Sequence, residues 1–344
     1  MTKFDTGNMG SEKVYAAVDI GGTKTAVVLS SQPPNILERN EFPTLPIDGP
    51  DPALKQIIDS LWRQLSSRQL VPSALQAIGV SCGGPLDPVA GIIQAPPNLS
   101  TWRDVGIKSI LEKEFGVQCL VENDANAGAL AEFWFGAGQG VNSIVFLTMG
   151  TGLGAGLILD GRLYRGASNL AGEIGHIRLT SNGPCAYGKV GSAEGWASGA
   201  GMAESGRAAV RLALRQGEAT LLGGFDLDSL TAQDVWETAL TGDAVAQRVV
   251  QITGERLGEV AALLVDLLNP DCIVVGGLAV YMGDALLGPA RRVMGREALR
   301  GAAEVCQIVP AALGRKIGDV AALCVALNLG NGLNTRKLQG SLTQ

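Results

Sequence analysis

The chain has 344 residues, of which 46% are hydrophobic and 17% are charged, and its formal net charge is −6. This length and apolar content predict a globular protein with a substantial core, built as two domains or one large one. The acidic balance, with lysines and arginines scattered along the chain, argues against a nucleic-acid partner.

The sequence does not predict a membrane protein or a secreted one. The most apolar stretch is interrupted by Asp266, Pro270 and Asp271, well short of the roughly 18 apolar residues that a spanning helix needs. Residues 1–13 lack the apolar run of a signal peptide and are interpreted as a flexible lead-in. The six cysteines form no C-x-x-C pair, which argues against a disulfide framework in a chain of this size. We therefore expect a soluble, cytoplasmic protein.

Strand and helix patterns alternate in the first half of the chain. A strand over Val14–Ile20 runs into the glycine turn "GGTKT" and a returning strand, which predicts a hairpin. Apolar residues at helical spacing predict a helix over 51–65. Predicted strands at 75–82 and 117–124 follow, separated by a loop rich in glycine and proline, and a helix begins just after the second of them.

The same order of strand, glycine turn and strand recurs over residues 143–161. A helical pattern covers 253–270, a buried strand from residue 271 ends at Gly276-Gly277, and a last helix covers 318–330. The recurrence predicts a duplicated α/β architecture in which two lobes flank a central cleft.

The expected boundaries follow from this repetition. They are a lead-in at 1–13, a smaller lobe at 14–133 completed by a helix near 315–330, a larger lobe at 134–314, and a tail at 331–344.

The two glycine turns indicate phosphate binding. Without a Cβ atom, consecutive backbone N–H groups can approach a polyphosphate and form an anion-binding nest. One such turn is weak evidence because hairpins need glycine anyway, but two matched turns favour an ATPase clamp of the actin and sugar-kinase type. Asp19 is well placed to hold Mg²⁺ through water, and Thr23 and Lys24 to contact phosphate. Neither turn is a Walker A sequence or a dinucleotide fingerprint.

Polar residues at the end of the strand near residue 120 indicate a catalytic site. Glu122, Asn123, Asp124 and Asn126 exceed what one helix cap requires, and α/β folds place ligands at the carboxyl ends of strands. Asp124 is a candidate general base for a hydroxyl nucleophile. Asn98, in the rigid turn "PPN", offers both a donor and an acceptor, although "PPN" is also an ordinary turn signal.

The motifs resemble those of the ROK family (repressors, open reading frames and sugar kinases). The matching segments, in order, are "VDIGGTKTAVVL", "PPNLSTW", "VENDANAGALAE", "MGTGLGAGLILDGRLYRGASNLAGEIGH" and "GSAEGWASG". The resemblance covers about Val14 to Leu329 and implies the actin-like ATPase (ribonuclease H-like) fold. It also implies Mg·ATP as donor, the 6-hydroxyl group of glucose or a related hexose as acceptor, and a homodimer.

The resemblance assigns a role to each matching residue. Asp124 would be the catalytic base. The implied sugar ligands are Asn98, Asn123, Asp124, Glu173, His176 and Glu194. The implied nucleotide-binding residues are Asp19, Gly21, Gly22, Thr23, Lys24, Gly150, Thr151, Gly152, Gly154, Gly276 and Gly277.

Many family members bind structural zinc after the G-H pair, but this chain departs from their pattern. Cys185 is present, whereas Tyr187 and Ser192 stand where two further cysteines would be. A closed tetrahedral zinc site needs four sulfur or nitrogen ligands, so no structural zinc is expected. Packing and hydrogen bonds, through Trp196 and Tyr187, are expected to hold the loop instead.

Three alternatives remain open. An N-acetylhexosamine kinase, acting on N-acetylmannosamine or N-acetylglucosamine, would have the same motifs, and so would a kinase for fructose, mannose or allose. Polyphosphate is an alternative phosphoryl donor. A sugar-responsive repressor of the same family is disfavoured because only 18 residues precede Asp19, too few for a recognition helix.

Overall fold

The computed structural model describes residues 13–328. The expected lead-in, apart from Lys13, and the expected tail lie outside these residues, as does the end of the last predicted helix. No helix of the described part is long and apolar enough to span a membrane.

The described chain alternates strands and helices. The strands are β1 (Val14–Ile20), β2 (Lys24–Ser30), β3 (Glu38–Pro43), β4 (Leu75–Cys82), β5 (Leu86–Asp87), β6 (Ile92–Ile93), β7 (Cys119–Asn123), β8 (Ile144–Met149), β9 (Leu153–Leu159), β10 (Arg162–Tyr164), β11 (Cys185–Ala186), β12 (Lys189–Val190), β13 (Cys272–Val275) and β14 (Gln307–Pro310). The helices are α1 (Asp51–Ser67), α2 (Ile107–Phe115), α3 (Asp124–Phe135), α4 (Ala193–Ala197), α5 (Gly199–Gln216), α6 (Ala232–Leu240), α7 (Ala244–Leu268), α8 (Leu278–Met282), α9 (Asp284–Glu297), α10 (Arg300–Ala303) and α11 (Ile317–Leu327).

The described residues divide into two compact units. Unit 1 contains residues 13–131 and 315–328, and unit 2 contains residues 132–314. The chain therefore passes from one unit to the other twice, after Ala131 and after Gly314.

Unit 1 is built on a five-stranded sheet with the order β3-β2-β1-β4-β7. The first three strands are antiparallel, whereas β4 and β7 run parallel to β1. The register aligns Ile20 with Cys82 and Cys82 with Asn123, so the three parallel strands end at the same edge. The residues that follow each strand are thereby brought together.

Unit 2 is built on a sheet with the order β10-β9-β8-β13-β14, which repeats the pattern of unit 1. An antiparallel hairpin, β8–β9, is followed by two strands parallel to β8. Val275 pairs with Leu147, so the β8–β9 turn and the end of β13 lie at one edge. Both predicted hairpins are confirmed, and with them the duplicated α/β pattern.

Each unit has its own apolar core. In unit 1, α1 and α2 bury residues such as Ile57 and Leu111 against the sheet, and α11 covers strand residues such as Ala17. In unit 2, α7 contributes Leu257 and Val265 to a core shared with α5, α6 and α9. Cys119, Cys272 and Cys324 are buried, and all six thiols are free.

Two sequence expectations were wrong in their bounds. Helix α3 begins at Asp124 itself, not just after it. The second glycine turn is only Gly150–Gly152, because β9 already begins at Leu153; Gly154, expected in the phosphate loop, is a strand residue. The short helix α8 was not predicted; it follows Gly277 directly, and that glycine is its N-cap at φ 60°.

Candidate active site

The first glycine turn, Gly21–Thr23, connects β1 to β2 and is held by backbone hydrogen bonds. The N–H of Gly21 donates to the carbonyl of Lys24 at 2.9 Å, and the hydroxyl of Thr44 donates to the carbonyl of Gly21 at 2.7 Å. Lys24, expected to contact phosphate, is the first residue of β2 and forms an exposed ion pair with Glu41 at 2.9 Å. A phosphate group would therefore have to compete with Glu41 for this ammonium.

Asn98 lies against the first glycine turn. A Cβ atom on Gly22 would stand only 2.5 Å from Cβ of Asn98, so no residue but glycine fits at this position. Asn98 is exposed in the short helical turn Pro97–Leu99. The structure thus brings together two of the predicted site residues of unit 1.

Asp19 ends its strand among other acidic groups. Burial, together with the charges of Asp124 and Asp319, raises the pKa of Asp19 to about 7, against a hydrogen bond from Ser81 that lowers it. The carboxyl group also lies close to Gly318 of α11, where a Cβ would stand 2.1 Å from Oδ2. Two carboxylates near a third favour the neutral form, or a bound cation, at this point.

Asn123, rather than Asp124, caps helix α3. Oδ1 of Asn123 accepts the N–H groups of Ala125 at 2.9 Å and of Asn126 at 3.4 Å. Oδ1 of Asp124 shares the Ala125 donor at 2.8 Å. Within this cluster of polar residues, Asn123 is therefore the helix cap. Because its oxygen is used for the cap, its amide NH₂ group is the part that can donate to a ligand.

Asp124 is exposed to solvent, but neighbouring protein atoms partly bury its carboxyl group. This partial burial raises the pKa of Asp124 above its usual range, while the backbone N–H groups of Ala125 and of Asp124 itself lower it. A reachable carboxylate with a raised pKa is suited to accept a proton from a hydroxyl group.

In unit 2, the second glycine turn lies against two other backbone segments. The carbonyl of Gly150 accepts the N–H of Gly199, the first residue of α5, at 2.7 Å, and that of Thr151 accepts the N–H of Ala200 at 3.2 Å. At Gly277 a Cβ would stand 2.1 Å from the carbonyl oxygen of Met149. The turn and Gly276-Gly277 are therefore neighbours.

Glu173, His176 and Glu194 come together at one end of unit 2. Glu173 is the N-cap of the helical turn Ile174–His176, and His176 is its last residue; both are exposed, whereas Ile174 and Gly175 between them are buried. Oε2 of Glu194, at the start of α4, accepts the N–H of Leu153 at 3.0 Å. Glu194 therefore supports the second glycine turn with one oxygen and has the other for a ligand.

The segment from Arg178 to Ser192 is held by hydrogen bonds and ring packing. Ser192 is the N-cap of α4, where its hydroxyl accepts the N–H of Gly195 at 3.1 Å. Nε1 of Trp196 donates to the hydroxyl of Thr180 at 2.7 Å. Within residues 13–328, no three His, Cys, Asp or Glu side chains are grouped so that they could hold a metal ion.

Sequence reasoning missed two residues near the predicted site. Asp319 is buried in α11, 280 positions from its partner Arg39, which donates to it at 2.7 Å. Tyr187 was expected only to help hold the loop in place of zinc, yet its ring centroid lies 5.4 Å from that of His176, a predicted site residue. A tyrosine followed by glycine in a two-residue turn was the one local signal for Tyr187; nothing local indicated Asp319.

The chain is similar to known proteins over most of its length. The sequence pattern of the ROK family matches residues 15–328. A glucokinase of Halalkalibacterium halodurans is 36% identical over 313 residues, which cover 90% of this chain and 94% of that protein. A xylose repressor of Caldicellulosiruptor bescii is 28% identical over 280 residues, covering 80% of this chain and 69% of the repressor.

Among solved structures, a ROK family glucokinase from Streptomyces griseus in complex with glucose and AMPPNP is similar to this chain. It is 31% identical, with a TM-score of 0.73, and the match covers 92% of this chain and 99% of that one. Together with the family match, this similarity establishes the α/β, actin-like ATPase fold that the motifs implied. The chain belongs to the ROK family.

Proposed function

We propose that this protein is a sugar kinase, which transfers the γ-phosphoryl group of ATP to the 6-hydroxyl group of glucose or a closely related hexose. The observation that carries the proposal is Asp124, a solvent-accessible carboxylate with a raised pKa at the carboxyl end of β7. Similarity to glucokinases, one of them in complex with glucose and AMPPNP, supports the substrate class.

In this proposal Asp124 accepts the proton of the attacking hydroxyl group. Phosphoryl transfer needs positioning and charge stabilisation more than covalent chemistry, so one well-placed base is sufficient. Asn98 and the free amide group of Asn123 would hold neighbouring hydroxyls, because amides match groups that both donate and accept. Glu173, His176 and the second oxygen of Glu194 are assigned to the remaining hydroxyls.

The two glycine turns and Gly276-Gly277 would bind ATP. Backbone N–H groups of Gly21–Thr23 and Gly150–Gly152 suit phosphate oxygens, and the contact between Gly277 and Met149 supports a nucleotide position beside the second turn. Gly154 is assigned no direct phosphate contact, since it is part of β9.

The surroundings of Asp19 fit a hydrated Mg²⁺. The repulsion from Asp124 and Asp319 that raises its pKa would be relieved by a divalent cation, and Mg²⁺ is commonly held by one or two carboxylates, waters and substrate phosphates. When bound with ATP, Mg²⁺ supplies charge neutralisation at the phosphates. We assign Asp19 to hold its water shell.

The test is phosphoryl transfer by the wild-type protein and by Asp124→Asn, followed as ADP release. The acceptors are glucose, mannose, fructose, allose, N-acetylglucosamine and N-acetylmannosamine, with Mg·ATP or polyphosphate as donor. We expect glucose with ATP to give the highest kcat/KM. Asp124→Asn should lower kcat by about 10²- to 10⁴-fold, because general-base assistance is lost, while calorimetry shows nearly unchanged glucose binding.

Asp59→Asn is the matched control, since Asp59 pairs with Lys55 on the exposed face of α1 and should leave kcat unchanged. Equal rates with every acceptor, or substantial turnover by Asp124→Asn, would contradict the proposal. If an N-acetylhexosamine gives the highest kcat/KM, that sugar takes the place of glucose as the proposed substrate. The homodimer and the cytoplasmic location are further proposals, which light scattering and cell fractionation test.

A further inference from the structure

Tyr187 forms the tip of the small hairpin β11–β12, and it is 64% exposed. Tyr187 and Gly188 form the two-residue loop, and their φ angles of 48° and 70° both lie in the left-handed region. This is the signature of a type I′ turn, in which Asn or Gly is preferred at both positions. A bulky aromatic residue in this conformation is strained, and such strain is concentrated at functional sites.

The ring of Tyr187 lies against His176, one of the proposed sugar ligands. Its centroid is 5.4 Å from that of His176, with an angle of 32° between the planes. Glu194 and Glu173 are the charged groups that act on its phenol: after desolvation, their negative charges raise the pKa of Tyr187. One predicted sugar ligand thus packs against this exposed aromatic side chain, and two more are close enough to act on its phenol electrostatically.

Contacts of other residues hold the hairpin in place. Cys185 pairs with Val190 across its two strands, and the N–H of Gly191 donates to the carbonyl of Pro184 at 2.8 Å. Nζ of Lys189 donates to the carbonyl of His176. None of these contacts uses the ring of Tyr187, so the part of the ring that His176 does not cover is open to a ligand.

We propose that Tyr187 binds the sugar, with its ring against an apolar face of the pyranose. A hexopyranose presents hydroxyl groups at its rim and C–H groups on its faces, so carboxylates and an imidazole at the rim leave one face for an aromatic ring. Tyrosine provides a large, rigid and amphipathic contact surface at low entropic cost. This inference rests on the proposed function and adds a specificity-determining residue to the same site.

The test compares Tyr187→Asn and Tyr187→Phe with the wild-type protein. Asn is tolerated in the left-handed conformation and removes the ring, whereas Phe retains it. Glucose binding by calorimetry should weaken about tenfold in Tyr187→Asn, with a matching rise in KM and kcat within about twofold. Tyr187→Phe should stay within about threefold of the wild type. Tyr164→Asn removes another exposed tyrosine of unit 2 and serves as the control, with unchanged binding expected.

The melting temperature separates ligand binding from a structural role. Because Asn relieves the backbone strain, Tyr187→Asn should melt at the same temperature as the wild type or higher. Unchanged glucose binding, or weaker binding accompanied by a lower melting temperature, would overturn the inference. If the wild type binds glucose without transferring phosphate, the proposed kinase function fails, while the binding comparison still decides the role of Tyr187.

Discussion

At the scale of single residues, Asp19 shows how neighbouring charges set a protonation state. Its folded pKa of about 7 lies above the ordinary value of 3.8, because burial and the charges of Asp124 and Asp319 disfavour the carboxylate. The folded state therefore binds this proton more tightly than the unfolded state. The free energy of unfolding should decrease as pH rises from about 4 to about 7, and this contribution should be absent above that range.

Asp19→Asn should therefore raise stability and remove activity. At pH 8 we expect its melting temperature to exceed that of the wild type by a few degrees, because an uncompensated buried charge is removed, and at pH 4 we expect no difference. Phosphoryl transfer should fall at least about a hundredfold, since the proposed Mg²⁺ position is lost. Scanning calorimetry at both pH values and the ADP assay measure these effects.

The pH dependence of kcat/KM of the wild-type protein should reflect the titration of Asp19 and Asp124. Below about pH 7, kcat/KM should decrease as pH falls, since Asp19 and Asp124 act as carboxylates and both have raised pKa values. A lower stability of Asp19→Asn at pH 8, or a rate that does not change between pH 8 and pH 5.5, would contradict this account.

At the scale of elements, the segment before α4 is ordered by an aromatic anchor. Trp196 donates to Thr180, packs against Gly183, where a Cβ would stand 2.2 Å from the ring, and lies 4.9 Å below the guanidinium of Arg256 on α7. Cation–π contacts of this kind contribute about 0.5–2 kcal/mol. Because Glu194 lies two residues before Trp196 in the same short helix, this anchor also fixes a proposed sugar ligand.

Trp196→Leu should loosen this segment by removing both the hydrogen bond and the cation–π contact. We expect a loss of about 2–4 kcal/mol in the free energy of unfolding, and faster tryptic cleavage after Lys189 or Arg178. Arg256→Gln should show a smaller effect of the same sign. Arg248→Gln is the control, because Arg248 lies on the same helix in an exposed pair with Glu218. Cleavage rates that are the same in all four proteins would refute the anchor.

At the scale of the whole molecule, one buried carboxylate joins the two segments through which the chain passes between its units. Glu132 is fully buried and accepts the N–H groups of Ala137 at 2.8 Å, Ala312 at 3.1 Å and Leu313 at 3.0 Å. Ala137 lies a few residues after the boundary at Ala131, and Ala312 and Leu313 lie just before the boundary at Gly314. Hydrogen bonds from backbone N–H groups to a carboxylate are stronger than those to a neutral acceptor, so Glu132 holds the two segments together.

Glu132→Gln should destabilise the protein by about 2–4 kcal/mol, because an amide group replaces one acceptor oxygen opposite backbone N–H donors. Urea unfolding measures this difference. Glu112→Gln is the matched control: Glu112 accepts a single backbone N–H, from Cys119, so its loss should stay below about 1 kcal/mol. Equal effects of the two substitutions would show that the three hydrogen bonds contribute little.

The sequence by itself determined the hairpins, the strand ends and the family, because alternating apolar residues, glycine turns and ordered motifs are local features. Asp124 was found in this way, directly after a buried strand. Only the tertiary structure decided which polar atoms remain available to a ligand. Oδ1 of Asn123 caps α3, and Oε2 of Glu194 accepts the N–H of Leu153. The ammonium group of Lys24 pairs with Glu41.

Tyr187, Asp319 and Glu132 became visible for the same reason. Asp319 and Glu132 have partners 280 and about 180 positions away, and Tyr187 contacts a residue of another element. Burial, hydrogen bonding and pKa depend on such neighbours rather than on adjacent residues. A sequence pattern names residue types in order, whereas chemistry at a site depends on which atoms the fold has already satisfied.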